Sequence, residues 1–364
     1  MMNLRSMISR LGTGIAAAAF GFSMFASHTA SAETKMVFAT HVSAGSVNSR
    51  QYDVFLAELA ERTGGAIKIT DKYNSEALIR AVDMLRSVGR GVADLGYFCA
   101  GYSPALLPLT STLELPYLTT KGDAWAQAAT ELFENNEDFQ NEFRALNVEL
   151  LAFDAPSPTI IGGNREIKSA ADIKGMKLRA LGDMGNIVQR GGGATPVPLS
   201  AAEIFTSMQT GVIDGYISIP LWMPYPENWL PVTKTIVDPG IGTYYACGLV
   251  MNSDVYKGLS DDVKKVLAEM RREFPKKSIQ MVMDGEQLTV DAATKQGISF
   301  YRFKPEEIDE WKKNFDFDAL ETDWYKRRQE LTKVDLPAFM TKFREILAKY
   351  EPNSIYEQKF PETK

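Results

Sequence analysis

Between Thr34 and Phe98 short apolar runs alternate with stretches of helical spacing, and no other feature of the 364-residue chain restricts its fold as much. TKMVFATHV reads as a strand. From Asn48 to Arg62 the residues Tyr52, Phe55, Leu56, Leu59 and Ala60 recur as they do on one face of an amphipathic helix. Gly64-Gly65 stop that helix, and AIKIT is the next strand. Ala77 to Gly89 carries Leu78, Val82, Leu85 and Val88 on one helical face, and VADLGYF follows Gly91 as a strand. A β-α-β-α-β order requires parallel strands joined by right-handed crossovers, hence an α/β fold.

Beyond a proline-punctuated stretch, Asp123 to Leu146 reads as one or two helices and VELLAFD as a strand. Pro156 and Pro158 mark a crossing into a second lobe. There Ser169 and Asp172 open a helical turn, MKLRAL is a strand, and Met184 to Gln189 is a short helix ending in a triple glycine. That glycine run lacks a following Lys-Ser/Thr and leads into a proline-rich segment, so it reads as a helix C-cap rather than a phosphate loop. Ser200 and Glu203 form a capping box before a helix that closes at Gly211, and VIDGYISI is the next strand. TYYACGLVMN is an apolar strand long enough to return to the first lobe. Ser260 opens a long helix that Pro275 should kink or interrupt, and Pro305 to Tyr350 is a charged, amphipathic helical tail.

The amino terminus reads as a targeting segment. Arg5 and Arg10 precede an uncharged run, and Ala30-Ser31-Ala32 gives a small-x-small cleavage site before Glu33. The run is too short for a membrane span, so the expectation is a secretory signal peptide at 1–32 and a mature periplasmic chain. A formal net charge of −6 with scattered lysines argues against nucleic acid and anionic membrane partners. His41 is the one histidine beyond the leader, which removes most triad chemistry and clustered zinc ligands. No metal, cofactor or catalytic constellation is expected. Cys99 and Cys247 sit far apart in apolar contexts. Export permits a disulfide, but the plainer reading is two small buried hydrophobes.

Within MKLRAL, Arg179 is a cation in an apolar run. It either reaches water, bridges an acid such as Asp183, or meets something negative. The surrounding motifs decide between these. DIKGMKLRA followed by GATPVPLSAAEIFTSMQTGVIDGY resembles the solute-binding subunits of tripartite ATP-independent periplasmic (TRAP) transporters, the DctP-like family. FLAELAERTGGAIKI and GVADLGYF resemble that family's first-lobe segments, so the likeness runs from Thr34 to about Ala348. The resemblance implies two α/β lobes, each a mostly parallel sheet flanked by helices, with hinge strands and a long helix spanning both. It implies lobe I at 33–156 plus 244–284, lobe II at 157–243 plus 285–330, and a tail at 331–364. It also implies that Arg179 meets the carboxylate of a ligand held between the lobes, where a planar guanidinium fork matches a carboxylate.

The chain departs from the family in two places. APSPTIIGGNREI has no cation near Pro158 or Thr159, so a second carboxylate clamp is absent and a dicarboxylate is disfavoured; Arg165 reads as surface. Ser218 stands where the family often has a ligand-contacting asparagine, and Trp222, Met223, Tyr225 and Trp229 follow it. That aromatic segment suits a ligand with an apolar or ring-bearing body, with Trp222 a stronger candidate than Trp229. Strand ends in such sheets face the cleft, which nominates His41, Tyr97 and Phe98, and Tyr245 on the returning strand. Glu76, ahead of a helix, could select against dianions. The expected function is capture of a small organic carboxylate, favouring a monocarboxylate, for delivery to a membrane permease. An ABC-type binding protein is the nearer rival. A secreted enzyme using carboxylates such as Glu114 and Asp214 is the remoter one.

Overall fold

The computed structural model describes residues 34–362; the expected signal peptide lies outside them. The strands in chain order are β1 (Thr34–Ala39), β2 (Ile67–Tyr73), β3 (Leu95–Cys99), β4 (Val148–Phe153), β5 (Thr159–Gly163), β6 (Lys177–Arg179), β7 (Thr195–Val197), β8 (Gly215–Pro220), β9 (Thr235–Asp238), β10 (Cys247–Asn252) and β11 (Ser299–Arg302). They form two sheets, β2-β1-β3-β10-β4 and β11-β9-β5-β8-β6-β7, each flanked by helices. The expected parallel βαβαβ start is present as β2-β1-β3. Both sheets are mixed, because β10 runs antiparallel to β3 and β4, and β5 runs antiparallel to β8 and β9.

The chain passes from the first sheet to the second between β4 and β5, and returns between β9 and β10. These two crossings lie side by side, joined by a bridge between Pro158 and Thr243 and by the Thr159 N–H donating to the Gly242 carbonyl at 2.9 Å. A third crossing is the helix Asp261–Lys295, which leads from β10 toward β11. Pro275 does not interrupt this helix. Its surroundings carry the backbone through: Ser278 Oγ donates to the Pro275 carbonyl at 3.2 Å, Gln51 donates to the Ser278 carbonyl at 2.8 Å, and Arg271 donates to the Leu150 carbonyl of β4 at 2.7 Å. Further along, Gly285 packs so closely on Trp222 and Val47 that an added Cβ would lie 3.0 Å from the Trp222 Cβ and 2.5 Å from a Val47 methyl.

Local signals set most elements. Ser46 caps the helix Val47–Arg62 by accepting from the Ser49 N–H at 3.1 Å. Gly193 ends the helix Met184–Gly192 in the left-handed region at φ 69°, so the triple glycine is indeed a C-cap. The segment expected to be helical from Ala77 starts later, with a 3-10 turn at Ala81–Asp83 and a helix at Met84–Gly89. The reason is local: Ser75 and Glu76 adopt positive φ, and the Glu76 carboxylate accepts from the Ala81 N–H at 2.9 Å, which starts the helical path there.

Cys99 and Cys247 stand directly opposite one another in the β3–β10 pairing and form a disulfide. This corrects the reading of two separate buried thiols: the returning strand brings together residues 148 positions apart. Several carboxylates are buried near the same strands. Burial raises Glu114 to about 8, although it accepts from the Ala246 N–H at 2.9 Å. Burial raises Glu142 to about 7 against bonds from Leu109 and Thr110, and Glu286 to about 7 against bonds from Lys359 and Tyr356.

Two outcomes follow for stability. Replacing Cys99 and Cys247 together by serine should lower the unfolding free energy by about 2–4 kcal/mol, read from denaturant titration of oxidised wild type against the double variant. The raised carboxylates bind protons in the folded state that the unfolded chain has released. Their favourable contribution is full below about pH 4.5, falls progressively as pH rises, and is lost by about pH 8. The melting temperature should therefore drop by a few degrees between about pH 7 and about pH 8.5, and a flat or rising profile would contradict those pKa values.

Candidate functional site

Arg179 ends β6, at the C-terminal edge that faces the other sheet, and is 1% exposed. Its Nε donates to the Leu199 carbonyl at 3.0 Å, Nη1 to the Ile217 and Ser218 carbonyls at 3.3 Å each, and Nη2 to the Tyr102 hydroxyl at 3.2 Å. Consecutive carbonyls of a regular strand point opposite ways. Here the β5–β8 register slips between Ile160 and Gly162, and Ser218 takes φ 59°, so the bulged β8 turns two successive carbonyls toward one guanidinium. The Ser218 hydroxyl accepts from the Leu181 N–H at 3.2 Å, which holds the loop after β6 against the bulge.

All these acceptors are neutral. Asp183, the acid nearest in sequence, is engaged by Arg327 at 3.1 Å and Arg328 at 2.7 Å. Among the described residues no carboxylate comes within ion-pair distance of Arg179. Burial lowers its pKa, opposed by Tyr102, yet a guanidinium keeps its proton. The result is a buried cation whose hydrogen-bond partners are all neutral; Glu203, the acid whose charge reaches it, lies beyond ion-pair distance.

Arg179 lines a cavity between the sheets, with His41, Asn48, Tyr97, Tyr102 and the disulfide on one side, Ser218, Trp222 and Met223 on the other, and Tyr245 from the β9–β10 crossing. His41 stacks on Tyr97 with ring centres 4.8 Å apart and meets Tyr102 edge-on at 5.1 Å. Burial lowers the His41 pKa to about 4, with the Arg179 charge contributing and a bond to the Tyr97 backbone opposing, so the imidazole is neutral. Behind Tyr97 and Asn48 lies Asp154, which accepts from the Asn48 amide at 2.5 Å and from the Tyr52 hydroxyl. Burial raises it to about 6, opposed by those bonds. The two sides of the cleft touch. Tyr102 Oη accepts from the Ala201 N–H at 3.3 Å as well as from Arg179, and Ser43 donates through its hydroxyl at 2.8 Å and its N–H at 3.2 Å to Glu227.

Of the residues nominated from sequence, Arg179, Ser218, Trp222, His41, Tyr97 and Tyr245 line this one cavity. Phe98 does not. It alternates to the opposite face of β3 and packs on Phe143 at 5.5 Å, so its nomination is corrected: adjacent strand residues cannot both face the cleft. Trp229 packs on Tyr216 in the core, and Tyr225 is exposed. Tyr244 turns away from the cavity and donates to the Leu181 carbonyl at 3.3 Å while accepting from the Met184 N–H at 2.8 Å. The alternative bridge between Arg179 and Asp183 is absent. Glu114 and Asp214 serve structure, the latter accepting from the Lys177 N–H at 2.8 Å. Asn48, Tyr102 and Asp154 were missed. Their signals were polar residues on the buried face of the first helix, the position just past β3, and an acid closing the apolar run VELLAF.

The profile of bacterial extracellular solute-binding protein family 7, DctP, matches residues 38–321. A solute-binding protein of Verminephrobacter eiseniae is 28% identical over 51% of this chain and 56% of its own length. The sialic acid-binding periplasmic protein SiaP of Vibrio cholerae is 25% identical over 76% of this chain and 83% of its own. The crystal structure of a marine-metagenome TRAP solute-binding protein specific for aromatic acid ligands, in complex with metahydroxyphenylacetate, superposes with a TM-score of 0.78 at 23% identity, covering 88% of this chain and 100% of that one. With a family match spanning most of the two-sheet fold, the chain belongs to the DctP family and is a TRAP-type extracytoplasmic solute-binding protein.

Proposed function

We propose that the protein captures a small organic monocarboxylate with an apolar or aromatic body between its sheets, through Arg179, and delivers it unchanged to the membrane subunits of a TRAP transporter. The observation that carries this reading is the buried guanidinium bonded only to neutral acceptors. An ion in that position costs several kcal/mol unless an opposite charge meets it, and a carboxylate meets a guanidinium with two charge-assisted bonds. The remaining cavity wall is largely aromatic, from Tyr97, Tyr102, Trp222 and Tyr245, and no second cation lines it. Relatives in the same family bear on the reading as well, since one binds sialic acid and a structural neighbour holds metahydroxyphenylacetate, both carboxylic acids. Among the described residues no helix is long and apolar enough to cross a membrane, in keeping with a subunit that hands its cargo to others.

The test is a thermal-shift and calorimetric screen of the chain from Glu33 onward against monocarboxylates, dicarboxylates, aromatic acids, sulfonates and zwitterions, in wild type and Arg179→Ala. A ligand at a hundred times its Kd should stabilise wild type by about 2.7 kcal/mol. In Arg179→Ala the Kd should rise by about two orders of magnitude or more, the loss of about 3 kcal/mol expected for one partner of a buried charge pair. Equal binding to both proteins would remove the arginine from ligand recognition.

A further inference from the structure

Three side-chain atoms around the cavity are buried and have no hydrogen-bond partner: His41 Nδ1, Asn48 Oδ1 and Trp222 Nε1. The parent residues are 5%, 2% and 1% exposed, so solvent does not satisfy these atoms either. The Asn48 orientation is fixed by its network. Its amide NH2 donates to Asp154 and, at 3.4 Å, to Gln51, which leaves Oδ1 as an acceptor. Trp222 offers only a donor; the Tyr245 hydroxyl beside it feels the indole N–H, but the pair does not reach full hydrogen-bond geometry. The neutral His41 ring donates at one nitrogen and accepts at the other. An unmet buried polar group costs about 1–3 kcal/mol, and three beside one cavity point to a ligand that meets them.

We propose that the ligand carries, besides the carboxylate bound by Arg179, an uncharged hydroxyl seated among His41, Asn48 and Trp222, so that the protein is a receptor for hydroxylated monocarboxylates. This rests on the acid-binding reading above and narrows it. A hydroxyl is the small group that donates once and accepts twice, so it serves the Asn48 acceptor, the Trp222 donor and His41 in the tautomer that carries its proton on Nδ1. A second carboxylate accepts only. It would leave Asn48 Oδ1 unmet and would approach the Asp154 carboxylate, which sits directly behind Asn48 and Tyr97. An ammonium group donates only and would leave Trp222 unmet. An unsubstituted acid would leave all three atoms as they are.

Isothermal titration calorimetry tests this with two matched sets of probes. One is phenylacetate, metahydroxyphenylacetate and meta-carboxyphenylacetate; the other is butanoate, gamma-hydroxybutanoate, succinate and gamma-aminobutanoate. In at least one set the hydroxy acid should bind about tenfold or more tightly than its parent, the effect of roughly 1.4 kcal/mol of satisfied bonding. The dicarboxylate and the ammonium acid should bind more weakly than the hydroxy acid. In Trp222→Phe and in His41→Phe the ratio of hydroxy acid to parent should collapse to about threefold or less. That ratio would not move if the variants merely loosened the fold. Parent acids binding as tightly as their hydroxy derivatives, or a dicarboxylate or ammonium acid binding tightest, would overturn the hydroxyl and leave the arginine clamp standing. Absence of binding by every acid in both sets would overturn the clamp and the hydroxyl together.

Discussion

One buried guanidinium organises the cleft. Arg179 is surrounded by carbonyls and a phenol, which can orient a cation but cannot neutralise it. Carbonyl dipoles soften the cost of burial, and the chain goes to some length to aim them. Two successive carbonyls of β8 face the same way only because the strand bulges and Ser218 sits in a backbone region that a residue with a side chain rarely adopts. The bulge points both carbonyls at one cation, and its Ser218 hydroxyl also holds the loop after β6. Under the proposed function it is scaffolding for an anion that completes the set.

The connectivity explains why such a site lies between two sheets and nowhere else. β10 belongs to the first sheet although the chain reaches it from the second, and β5 is reached from β4 of the first. The two crossings run together at Pro158 and Thr243, and Tyr245 lies just past them, where its hydroxyl accepts from the Ser157 N–H at 3.1 Å. The cavity therefore takes His41 and Tyr97 from strand ends of one sheet, Arg179 and Ser218 from the other, and Tyr245 from the crossing itself. The disulfide closes the same wall, locking β10 to β3 beside the crossing.

Much of this was legible in the sequence, for identifiable reasons. The βαβαβ start, the capping residues Ser200 and Ser260, and the glycine that ends the helix at Gly192 are local signals, and local signals do not depend on distant parts of the chain. The strand-end rule nominated His41 and Tyr97, because it depends only on strand direction, whereas Arg179 was nominated through the family resemblance of DIKGMKLRA. Phe98 failed where two neighbouring residues were nominated and the alternation of a strand allows one. The cysteine pair failed because register across 148 residues is not written in either segment. The interruption expected at Pro275 is absent, and the contacts around it are partly tertiary: Gln51 donates to the Ser278 carbonyl and Arg271 to the Leu151 carbonyl of β4. Asn48 was hidden by a helix read for its apolar face alone. Its polar side chain shares that buried face because Asp154, a hundred residues on, needs a donor.

The contacts that hold the cleft together bear on how a ligand controls it. Ser43 makes two hydrogen bonds to Glu227, and Tyr102 one each to Ala201 and Arg179, each worth about 1–3 kcal/mol net. Against them stand the desolvation of Arg179 and of Glu227, whose pKa burial also raises. If capture of a ligand opens and closes the cleft, as the proposed function requires, opening returns both groups to water and offsets those bonds. A carboxylate that binds the guanidinium only when both walls surround it adds several kcal/mol to the closed state and almost nothing to the open one. Moving a population from 1:99 to 99:1 takes about 5.5 kcal/mol of such differential affinity, which is within reach of one buried ion pair with a satisfied polar group beside it. The hydrogen bonds across the cleft need only be weak, because the ligand carries the difference.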